Sequence, residues 1–265
     1  TLILKNLSNM KLLEGKVAVV TGAARGIGKA IALKFAQEGA NIAFTDLVID
    51  ENGLATQAEI EALGVKAKGY ASNAANFEET HNVVAEIVKD FGRIDILVNN
   101  AGATWGAKAE EHPLAAWDKV MDLNIRGYFL LSQAVARAGM LQRGGRIINI
   151  SSIAGLGGNP IAMRTLAYNT SKGAVLNFTR ALAAEWGPQG ITVNAVCPGF
   201  FRTKMASGLI DSIGEAQMCA QAPLRRLGDD EDLKGITVLL ASAAGKHITG
   251  QWLAVDGGVS IVTGG

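Results

Sequence analysis

Short apolar segments alternate with longer amphipathic ones along most of the chain. The β-branched segments predict seven strands, at Val17–Thr21, Asn41–Thr45, Lys66–Ala71, Ile94–Val98, Arg146–Ile150, Thr192–Val196 and Gln251–Val255. Apolar positions at helical spacing predict helices at Gly28–Glu38, Asn76–Phe91, Pro113–Gln142 with a break near Leu123, Ala167–Glu185 and Asp230–Ser242. Such alternation is typical of βαβ units, which build one parallel sheet with helices on both faces.

One stretch departs from this rhythm, between Phe200 and Arg226. It follows the sixth predicted strand and carries apolar side chains at Met205, Leu209, Ile213 and Met218. Two interpretations stay open: the stretch is a mobile helical lid over a pocket, or it is an ordinary helix that faces the core.

Composition and charge exclude several classes of protein. Apolar residues make up 49% of the 265 residues and charged residues 18%, and 25 basic side chains are balanced by 24 acidic ones. This balance argues against long disordered regions and against nucleic acid as a partner. Apolar runs such as Lys16–Val20 are far shorter than the roughly 18 residues of a membrane-spanning helix, so no membrane association is expected.

The cysteines and histidines show no pattern that would bind a metal. Cys197 and Cys219 form neither a ligand motif nor a disulfide framework, which suits a reducing, cytoplasmic environment. The three histidines, His81, His112 and His247, occur singly in different predicted elements. We therefore expect neither a metal nor a structural disulfide.

The first strand runs into a glycine-rich loop that opens a helix. The loop reads Thr21-Gly22-Ala-Ala-Arg25-Gly26-Ile27-Gly28. Its small residues would let backbone amides and a helix N-terminus approach the pyrophosphate of a dinucleotide. The candidate contacts are Gly22, Arg25, Gly26, Ile27 and Gly28. A tight turn without a ligand is the alternative, because one glycine-rich turn is a weak signal by itself.

Asp46 bears on the choice of dinucleotide. It ends the second strand, close to the offset of about 20 residues at which a carboxylate accepts hydrogen bonds from the adenosine ribose. A carboxylate there repels a 2′-phosphate, whereas Arg25 in the loop could attract one. Because Asp46 would meet the ribose directly, we expect NAD(H) to be favoured over NADP(H). A solvent-exposed aspartate at a strand end is the alternative.

Polar and small residues follow the fourth and fifth strands, where they could line a crevice at the carboxyl edge of the sheet. Those after the fourth strand include Asn100, Ala101 and Gly102. Ser152 follows the fifth strand, and Tyr168 and Lys172 lie four residues apart, on one face of a predicted helix. The Tyr-x-x-x-Lys spacing means nothing by itself. It becomes informative because the same chain has a serine at the end of a strand and a candidate dinucleotide-binding loop.

With these motifs, the chain resembles the short-chain dehydrogenase/reductase family over nearly its whole length after residue 10. The matching segments are Thr21–Gly28, Asn99–Gly102, Asn124 within Leu-Asn-Ile-Arg-Gly, Ser152, the Tyr168 and Lys172 pair, and Pro198-Gly199 with Thr203 beyond it. The resemblance implies an α/β fold, a single doubly wound Rossmann-type domain with a parallel seven-stranded sheet in the order 3-2-1-4-5-6-7. We expect residues 11–265 to form this dinucleotide-binding catalytic domain and residues 1–10 to be an N-terminal extension.

The resemblance also implies roles for the site residues. Tyr168 would pass a proton to or from the substrate oxygen while a hydride moves at the nicotinamide ring, and Ser152 would hydrogen-bond that oxygen. Lys172 would hold the nicotinamide ribose and, with an oxidised nicotinamide, lower the pKa of Tyr168 from its free value near 10. Asn124 would anchor a water that links Lys172 to solvent. The residues expected at the nicotinamide carboxamide are Pro198, Gly199 and Thr203.

Two departures from the family pattern concern the substrate mouth and the adenine. The segment between Ser152 and Tyr168 is a few residues longer than in many relatives, so Pro160–Leu166 would reshape the substrate mouth. Asn73 stands where relatives often have an aspartate, which weakens one contact to the adenine amino group but keeps a neutral hydrogen bond.

The reaction is better indicated than the substrate. Residues 11 to about 98 resemble bacterial 3-oxoacyl-acyl-carrier-protein reductases, whereas the chain from Gly102 onward resembles another reductase branch. We expect reduction of a 3-oxoacyl thioester, with an acyl carrier protein as a candidate partner. A sugar, polyol or hydroxy acid is the alternative among small carbonyl and alcohol substrates.

Two further expectations concern the class of protein and its assembly. A non-catalytic dinucleotide sensor is the alternative of another class, and the intact set of Asn124, Ser152, Tyr168 and Lys172 argues against it. The resemblance implies a homotetramer that assembles through the helices Ala115–Gln142 and Ala167–Glu185, because their apolar outer faces would otherwise be exposed.

Overall fold

The computed structural model describes residues 11–159 and 163–262, and a seven-stranded sheet lies at its centre. The strands are β1 Val17–Thr21, β2 Asn41–Asp46, β3 Ala67–Ala71, β4 Ile96–Asn99, β5 Gly145–Ile150, β6 Ile191–Pro198 and β7 Trp252–Val255. All pairs are parallel, in the order β3-β2-β1-β4-β5-β6-β7. The predicted fold class and strand order are confirmed. The expected extension at residues 1–10 lies outside the described residues.

Helices cover both faces of this sheet. They are α1 Gly26–Gln37, α2 Glu51–Glu61, α3 Phe77–Phe91, α4 Leu114–Met121, α5 Gly127–Val135, α6 Leu166–Trp186, α7 Lys204–Ile213, α8 Glu215–Gln221 and α9 Lys234–Ala241. In β1, Val20 packs in the cluster that contains Phe35 of α1, whereas Val19 packs in the cluster that contains Ile87 of α3. Central strands therefore bury both faces, which explains their continuous apolar sequences.

The sequence pattern does not predict helix α2. This helix buries only a short set of residues, Gly53, Thr56 and Ile60, so its apolar periodicity is weak. Asp50 caps its N-terminus by accepting hydrogen bonds from the backbone N–H groups of Asn52 and Gly53, at 3.0 and 3.2 Å. An aspartate followed by a polar helical segment is the signal that could have found it.

The predicted helix Pro113–Gln142 is continuous apart from two wider turns. A π-helical turn, Asp122–Arg126, joins α4 to α5 with helical backbone angles, so the helix is widened and not broken near Leu123 as predicted. The helix is kinked instead within Ala136–Met140, where Gly139 has a non-helical φ of 144°. Asn124 lies in the first π turn and is fully buried. Such turns in long helices frequently occur at functional sites, because they redirect one side chain.

Helices α7 and α8 occupy most of the stretch Phe200–Arg226, so the helical part of that prediction is confirmed. Met218 of α8 is fully buried, whereas Leu209 and Ile213 of α7 are partly buried. At least one side chain of the stretch therefore packs as part of the core. Its mobility stays a prediction.

Helix α9 begins at Lys234, later than the sequence pattern predicts. In the turn before it, Asp229 and Asp232 each accept a hydrogen bond from a backbone N–H group at 2.9 Å. Asp232 also accepts two hydrogen bonds from the guanidinium of Arg226, both at 2.6 Å. The acidic segment Asp229–Asp232 thus builds a turn instead of the first helical residues.

A chain of buried polar side chains crosses the sheet near the ends of β4 and β5. Asn99 donates from Nδ2 to Asn149 Oδ1 at 2.9 Å and to Ser132 Oγ of α5 at 3.1 Å. Asn149 donates to Thr179 Oγ1 of α6 at 3.0 Å. All four side chains are almost completely buried, so these bonds fix α5 and α6 against the two strands.

Three classes of feature are absent from residues 11–159 and 163–262. None of the helices in these ranges is long and apolar enough to cross a membrane. No three His, Cys, Asp or Glu side chains gather there as a group that could hold a metal ion. Cys197 and Cys219 are both free thiols.

The helices expected to join subunits carry exposed apolar side chains. Leu114 opens α4 with 73% of its surface exposed, and Phe129 of α5 and Leu166 of α6 are each 44% exposed. Association of copies would cover such side chains, and the homotetramer stays a prediction.

Replacing Asn149 with alanine tests the buried polar chain. We expect Asn149→Ala to lower the free energy of unfolding by about 2–4 kcal/mol, because Asn99 loses an acceptor inside the core. Urea unfolding followed by circular dichroism measures this change. Asn82 is exposed on α3, so Asn82→Ala serves as the control and should stay within about 0.5 kcal/mol of the parent chain. Equal stability of the two variants would show that the polar chain does not anchor the helices.

Candidate active site

The glycine loop between β1 and α1 packs tightly against the turn that follows β4. Gly22 and Gly26 have positive φ angles of 65° and 58°. A Cβ atom built on Gly22 would stand 2.9 Å from the Cα of Ala101, and one built on Gly28 would stand 2.5 Å from Asn100 Nδ2. Only glycine fits these two positions without a shift of the neighbouring backbone or amide.

Hydrogen bonds join the same two loops. The backbone N–H groups of Asn100 and Ala101 each donate to Thr21 Oγ1 at 2.9 Å. Asn100 Nδ2 donates to the carbonyl oxygens of Thr21 and Gly22, at 2.8 and 3.1 Å. Thr21 was expected only as part of the glycine motif, without a role of its own. A hydroxyl at the end of the first strand is the signal that could have identified it.

The N-terminus of α1 fits a pyrophosphate. Arg25 is the N-cap residue and makes no side-chain hydrogen bond to the first turn, so it leaves the first N–H groups of the helix to other partners. A Cβ atom built on Gly26 would have no atom within 4 Å, so the space above the loop is open. The Arg25 guanidinium lies 3.9 Å from Asp50, and both side chains are exposed.

Asp46 lies beside the glycine loop, at the end of β2. One carboxylate oxygen accepts a hydrogen bond from the Ala24 N–H at 3.2 Å, and the other accepts from the Leu47 N–H at 2.9 Å. Each oxygen keeps a lone pair for another donor. The carboxylate therefore holds the loop and can still accept from a ribose hydroxyl.

Asn73 lies after β3 and has local partners. Its Oδ1 accepts a hydrogen bond from the Ala75 N–H at 3.1 Å, and its own N–H donates to Glu79 of α3 at 2.7 Å. These bonds shape the turn into α3. The expected contact with an adenine stays a prediction.

The four residues expected to act in catalysis converge at the carboxyl edge above β4 and β5. Lys172 and Tyr168 lie on the first two turns of α6, and Lys172 Nζ is 5.7 Å from the centroid of the Tyr168 ring. Ser152 follows β5, and its hydroxyl lies close enough to the phenol of Tyr168 to affect the pKa of that phenol. A Cβ atom built on Gly102 would stand 3.2 Å from Asn124 Oδ1 and 3.6 Å from Lys172 Nζ.

Burial dominates the electrostatics of this group. It raises the pKa of the Tyr168 phenol, and the Ser152 hydroxyl opposes that shift. Burial also lowers the pKa of the Lys172 ammonium to about 7, with a smaller opposing effect from Cys197. Desolvation of the phenol therefore outweighs the effect of Ser152, and the lowering of its pKa expected from Lys172 together with an oxidised nicotinamide stays a prediction.

Lys172 Nζ is held by two oxygen atoms. It donates to the carbonyl oxygen of Ile150 at 2.7 Å and to Tyr128 Oη at 3.3 Å. Tyr128 is a residue that the sequence reasoning missed. Its position four residues after Asn124, on the same face of the long helix, is a signal that could have suggested it.

Asn124 is committed to the segment that follows β4. Its Oδ1 accepts from the Ala103 N–H at 2.8 Å, and its Nδ2 donates to the Ala103 carbonyl and to Ser171 Oγ, both at 2.9 Å. Both amide hydrogens are therefore used. On this side chain only the second lone pair of Oδ1 remains for the expected water, and the relay stays a prediction.

The segment after β6 lies at the same edge of the sheet. Pro198 pairs with Val255 of β7, and a Cβ atom built on Gly199 would stand 2.6 Å from the Asp256 side chain. Thr203 Oγ1 caps α7 by accepting from the Ala206 N–H at 3.3 Å. These contacts fix the backbone there, and its expected contact with a nicotinamide carboxamide stays a prediction.

The long segment between Ser152 and Tyr168 is fastened to α6 by polar side chains. Asn159 Nδ2 donates to Thr165 Oγ1 at 2.9 Å and to Asn169 Oδ1 at 3.1 Å, and Thr165 donates to Asn169 at 2.8 Å. A cavity of about 560 Å³ lies here, lined in part by Lys108, Met163, Arg164 and Asn169. Residues 160–162, part of the predicted substrate mouth, lie outside the described residues.

Comparison with known proteins agrees with this geometry. Residues 22–260 match the family model described as Enoyl-(Acyl carrier protein) reductase. The chain is 42% identical over 250 residues to the 3-oxoacyl-acyl-carrier-protein reductase of Vibrio cholerae, which covers 94% of this chain and 99% of that protein.

Solved structures give the same result. A short-chain type dehydrogenase/reductase from Mycobacterium marinum superimposes with a TM-score of 0.90 at 35% identity, covering 96% of this chain and 98% of that one. A gluconate 5-dehydrogenase from Burkholderia cenocepacia, in complex with NADP and tartrate, superimposes with a TM-score of 0.90 at 33% identity. The match covers 96% of this chain and 99% of that one. The extent of these matches, together with the site residues, shows that this chain belongs to the short-chain dehydrogenase/reductase family of oxidoreductases.

Proposed function

We propose that this protein is an NAD(H)-dependent reductase that converts 3-oxoacyl thioesters to 3-hydroxyacyl thioesters. The observation that carries the proposal is the convergence of Ser152, Tyr168 and Lys172 at the carboxyl edge of the sheet, beside the glycine loop. Similarity over nearly the full length to the Vibrio cholerae 3-oxoacyl-acyl-carrier-protein reductase supports the substrate class. An acyl carrier protein is the corresponding candidate partner.

The nucleotide would lie across the carboxyl edge of β1, β4 and β6. The loop at Gly22–Gly28 would hold the pyrophosphate, Asp46 and Asn73 the adenosine end, and Lys172 the nicotinamide ribose. The remaining contacts would come from Asn100, Ala101, Gly102, Tyr168, Pro198, Gly199 and Thr203. The bound nicotinamide supplies the hydride that reduces the carbonyl carbon.

Tyr168 would donate the proton that completes the reduction. Because burial raises its pKa, the phenol is protonated at neutral pH and can give its proton to the oxygen of the substrate carbonyl. The Ser152 hydroxyl would hydrogen-bond the same oxygen and hold it beside Tyr168. A positively charged oxidised nicotinamide and the Lys172 ammonium would then stabilise the phenolate that remains.

Lys172 would return a proton to Tyr168 after the transfer. Its pKa of about 7 means that both the ammonium and the amine are populated near neutral pH. A group in that range can gain and lose a proton at little cost. Asn124, which faces the same Gly102 turn, would hold the water that connects Lys172 to solvent.

A hydroxy acid or sugar dehydrogenase is the second candidate. The cavity at the start of α6 is lined in part by polar side chains, which suit hydroxyl and carboxylate groups, and in part by apolar ones; the polar ones include Asn159, Arg164, Thr165 and Asn169. The similar Burkholderia cenocepacia structure is a gluconate 5-dehydrogenase. Because the cofactor site is common to both candidates, the substrate must discriminate between them.

A panel of substrates tests the proposed function. NADH and NADPH oxidation should be followed by absorbance with acetoacetyl thioesters, 5-keto-gluconate, keto sugars and simple ketones. We expect acetoacetyl thioesters to give the highest kcat/KM, at least tenfold above that of the keto acid, a difference of about 1.4 kcal/mol. A higher value with 5-keto-gluconate would favour the second candidate, and no turnover on any member would refute the thioester assignment.

Tyr168→Phe tests the proton donor. We expect nucleotide binding to remain, while kcat falls by about 10²- to 10⁴-fold because the proton is lost and the ring is kept. Steady-state kinetics and fluorescence titration with NADH measure the two effects. Tyr70→Phe is the matched control, since its phenol donates to Asp90 at 2.7 Å, away from the site. Full activity of Tyr168→Phe would remove Tyr168 from this role.

Asp46→Ala tests the preference for NAD(H). Loss of the carboxylate removes its repulsion of a 2′-phosphate, so the ratio of kcat/KM for NADPH to that for NADH should rise about tenfold. Asp118 is exposed on α4, and Asp118→Ala should leave the ratio unchanged. An equal fall of kcat/KM with both nucleotides in Asp46→Ala would contradict the assignment. The carboxylate would then act only by holding Ala24.

A further inference from the structure

Lys172 Nζ is bonded to two buried oxygen atoms on the side of the core. Its partners within residues 11–159 and 163–262 are the Ile150 carbonyl oxygen at 2.7 Å and Tyr128 Oη at 3.3 Å. Lys172 is 3% exposed and Tyr128 is 2% exposed. Both bonds therefore act at low local dielectric, where the orientation of a donor matters more than it does in water.

The phenol proton of Tyr128 does not point to Lys172. Tyr128 Oη donates to the same Ile150 carbonyl oxygen at 2.9 Å. A phenol carries one proton, so towards Lys172 the oxygen of Tyr128 can only accept. Burial raises the pKa of Tyr128, and this keeps the phenol neutral over the physiological range. The three groups form a closed triangle in which both acceptor sites for Lys172 are fixed.

This triangle leaves Nζ one position for the crevice. An ammonium has three N–H bonds, and a neutral amine has two N–H bonds and a lone pair. In either form two N–H bonds satisfy Ile150 and Tyr128, and the third position carries the proton or the lone pair. Outside the triangle, Nζ faces the turn at Gly102 and the ring of Tyr168. Proton exchange with the site therefore runs through this single position.

We propose that Tyr128 is a positioning residue whose hydroxyl, with the Ile150 carbonyl, orients Lys172 so that one N–H position faces Tyr168 and the substrate crevice. This inference rests on the proposed function, in which Lys172 returns the proton to Tyr168. Tyr128 acts through Lys172 and has no contact with the reacting atoms. Its acceptor oxygen also stabilises the ammonium relative to the amine.

Few titratable groups face Lys172 from the elements packed around it. Tyr128 comes from α5, Tyr168 from α6 itself, and Cys197 from β6. Burial raises the pKa of the Cys197 thiol to about 11, and Asp256 after β7 adds to this effect. The thiol and both phenols are therefore neutral between pH 5 and about 9. A displaced titration of Lys172 within that range reports the loss of an acceptor.

The experiment compares the full chain with Tyr128→Phe, and Tyr70→Phe serves as the matched control. Both substitutions remove one hydrogen-bonded phenol from a buried ring, but the phenol of Tyr70 binds Asp90 near β3. Lysine labelled with ¹³C at Cε follows each ammonium by NMR, and the Lys172 resonance is identified by its loss in Lys172→Met. We expect the Lys172 midpoint in Tyr128→Phe to lie about one pH unit lower, because an acceptor of the ammonium is gone.

Kinetics on the same proteins give a second readout. In Tyr128→Phe, kcat for reduction should fall about tenfold, with the decline at high pH displaced to lower pH and KM nearly unchanged. Tyr70→Phe should keep the parent values of both the titration and the pH profile. A role of Tyr128 in packing alone would lower the rate equally at every pH.

The outcomes separate this inference from the proposed function. An unchanged Lys172 midpoint in Tyr128→Phe, or a loss of rate without displacement of the pH profile, overturns the positioning role. Thioester inactivity of the parent chain refutes the proposed function instead, while the NMR titration still tests the contact. If Tyr128→Phe does not fold, 3-fluorotyrosine at position 128 keeps the hydroxyl but weakens it as an acceptor. A smaller displacement of the Lys172 midpoint to lower pH supports the inference. An unchanged midpoint overturns it.

Discussion

A lysine ammonium in a protein core loses its hydration, and the fold must supply acceptors in place of water. Here the Ile150 carbonyl and the Tyr128 hydroxyl take that place around Lys172. The elements that carry these groups, β5 and α5, are locked in turn by the buried bonds that Asn99 donates to Asn149 and Ser132. The burial that opposes the charge also brings the pKa of Lys172 to about 7. Stability and chemistry thus depend on the same desolvation.

The parallel sheet explains why groups far apart in the sequence meet at one place. Each strand ends at the same edge, so the loops after β1, β2, β4, β5 and β6 share one crevice. The Thr21 hydroxyl then joins the loop that suits a pyrophosphate to the turn that borders Lys172, because it accepts from the backbone N–H groups of Asn100 and Ala101. The π turn places Asn124 against the segment that follows this turn. The fold therefore preorganises the site through hydrogen bonds between main-chain and side-chain groups.

Much of this architecture could be predicted from the sequence, because buried parallel strands have continuous apolar runs and the glycine, Asn-Ala-Gly and Tyr-x-x-x-Lys motifs have fixed spacings. Helix α2 could not, since it buries too few apolar side chains to show a period. Tyr128 and Thr21 were missed because hydroxyls that hold other groups leave no spacing rule of their own. The rise that burial gives the pKa of Tyr168 could not be predicted either, because desolvation depends on packing density around the phenol, which no pattern of residues records. The roles of the site residues stay predictions.

The hydrogen-bonded junction between Thr21 and Asn100 has an evolutionary consequence. The half of the sheet that begins with β1 and the half that begins with β4 are bridged there by four hydrogen bonds, each of which uses either the Thr21 hydroxyl or the Asn100 side-chain amide. Substitutions that remodel the distal loops of one half need not disturb the junction. Relatives built in this way can change the substrates they accept while they keep the same nucleotide-binding loop. Substrate range and nucleotide binding can therefore diverge separately in evolution.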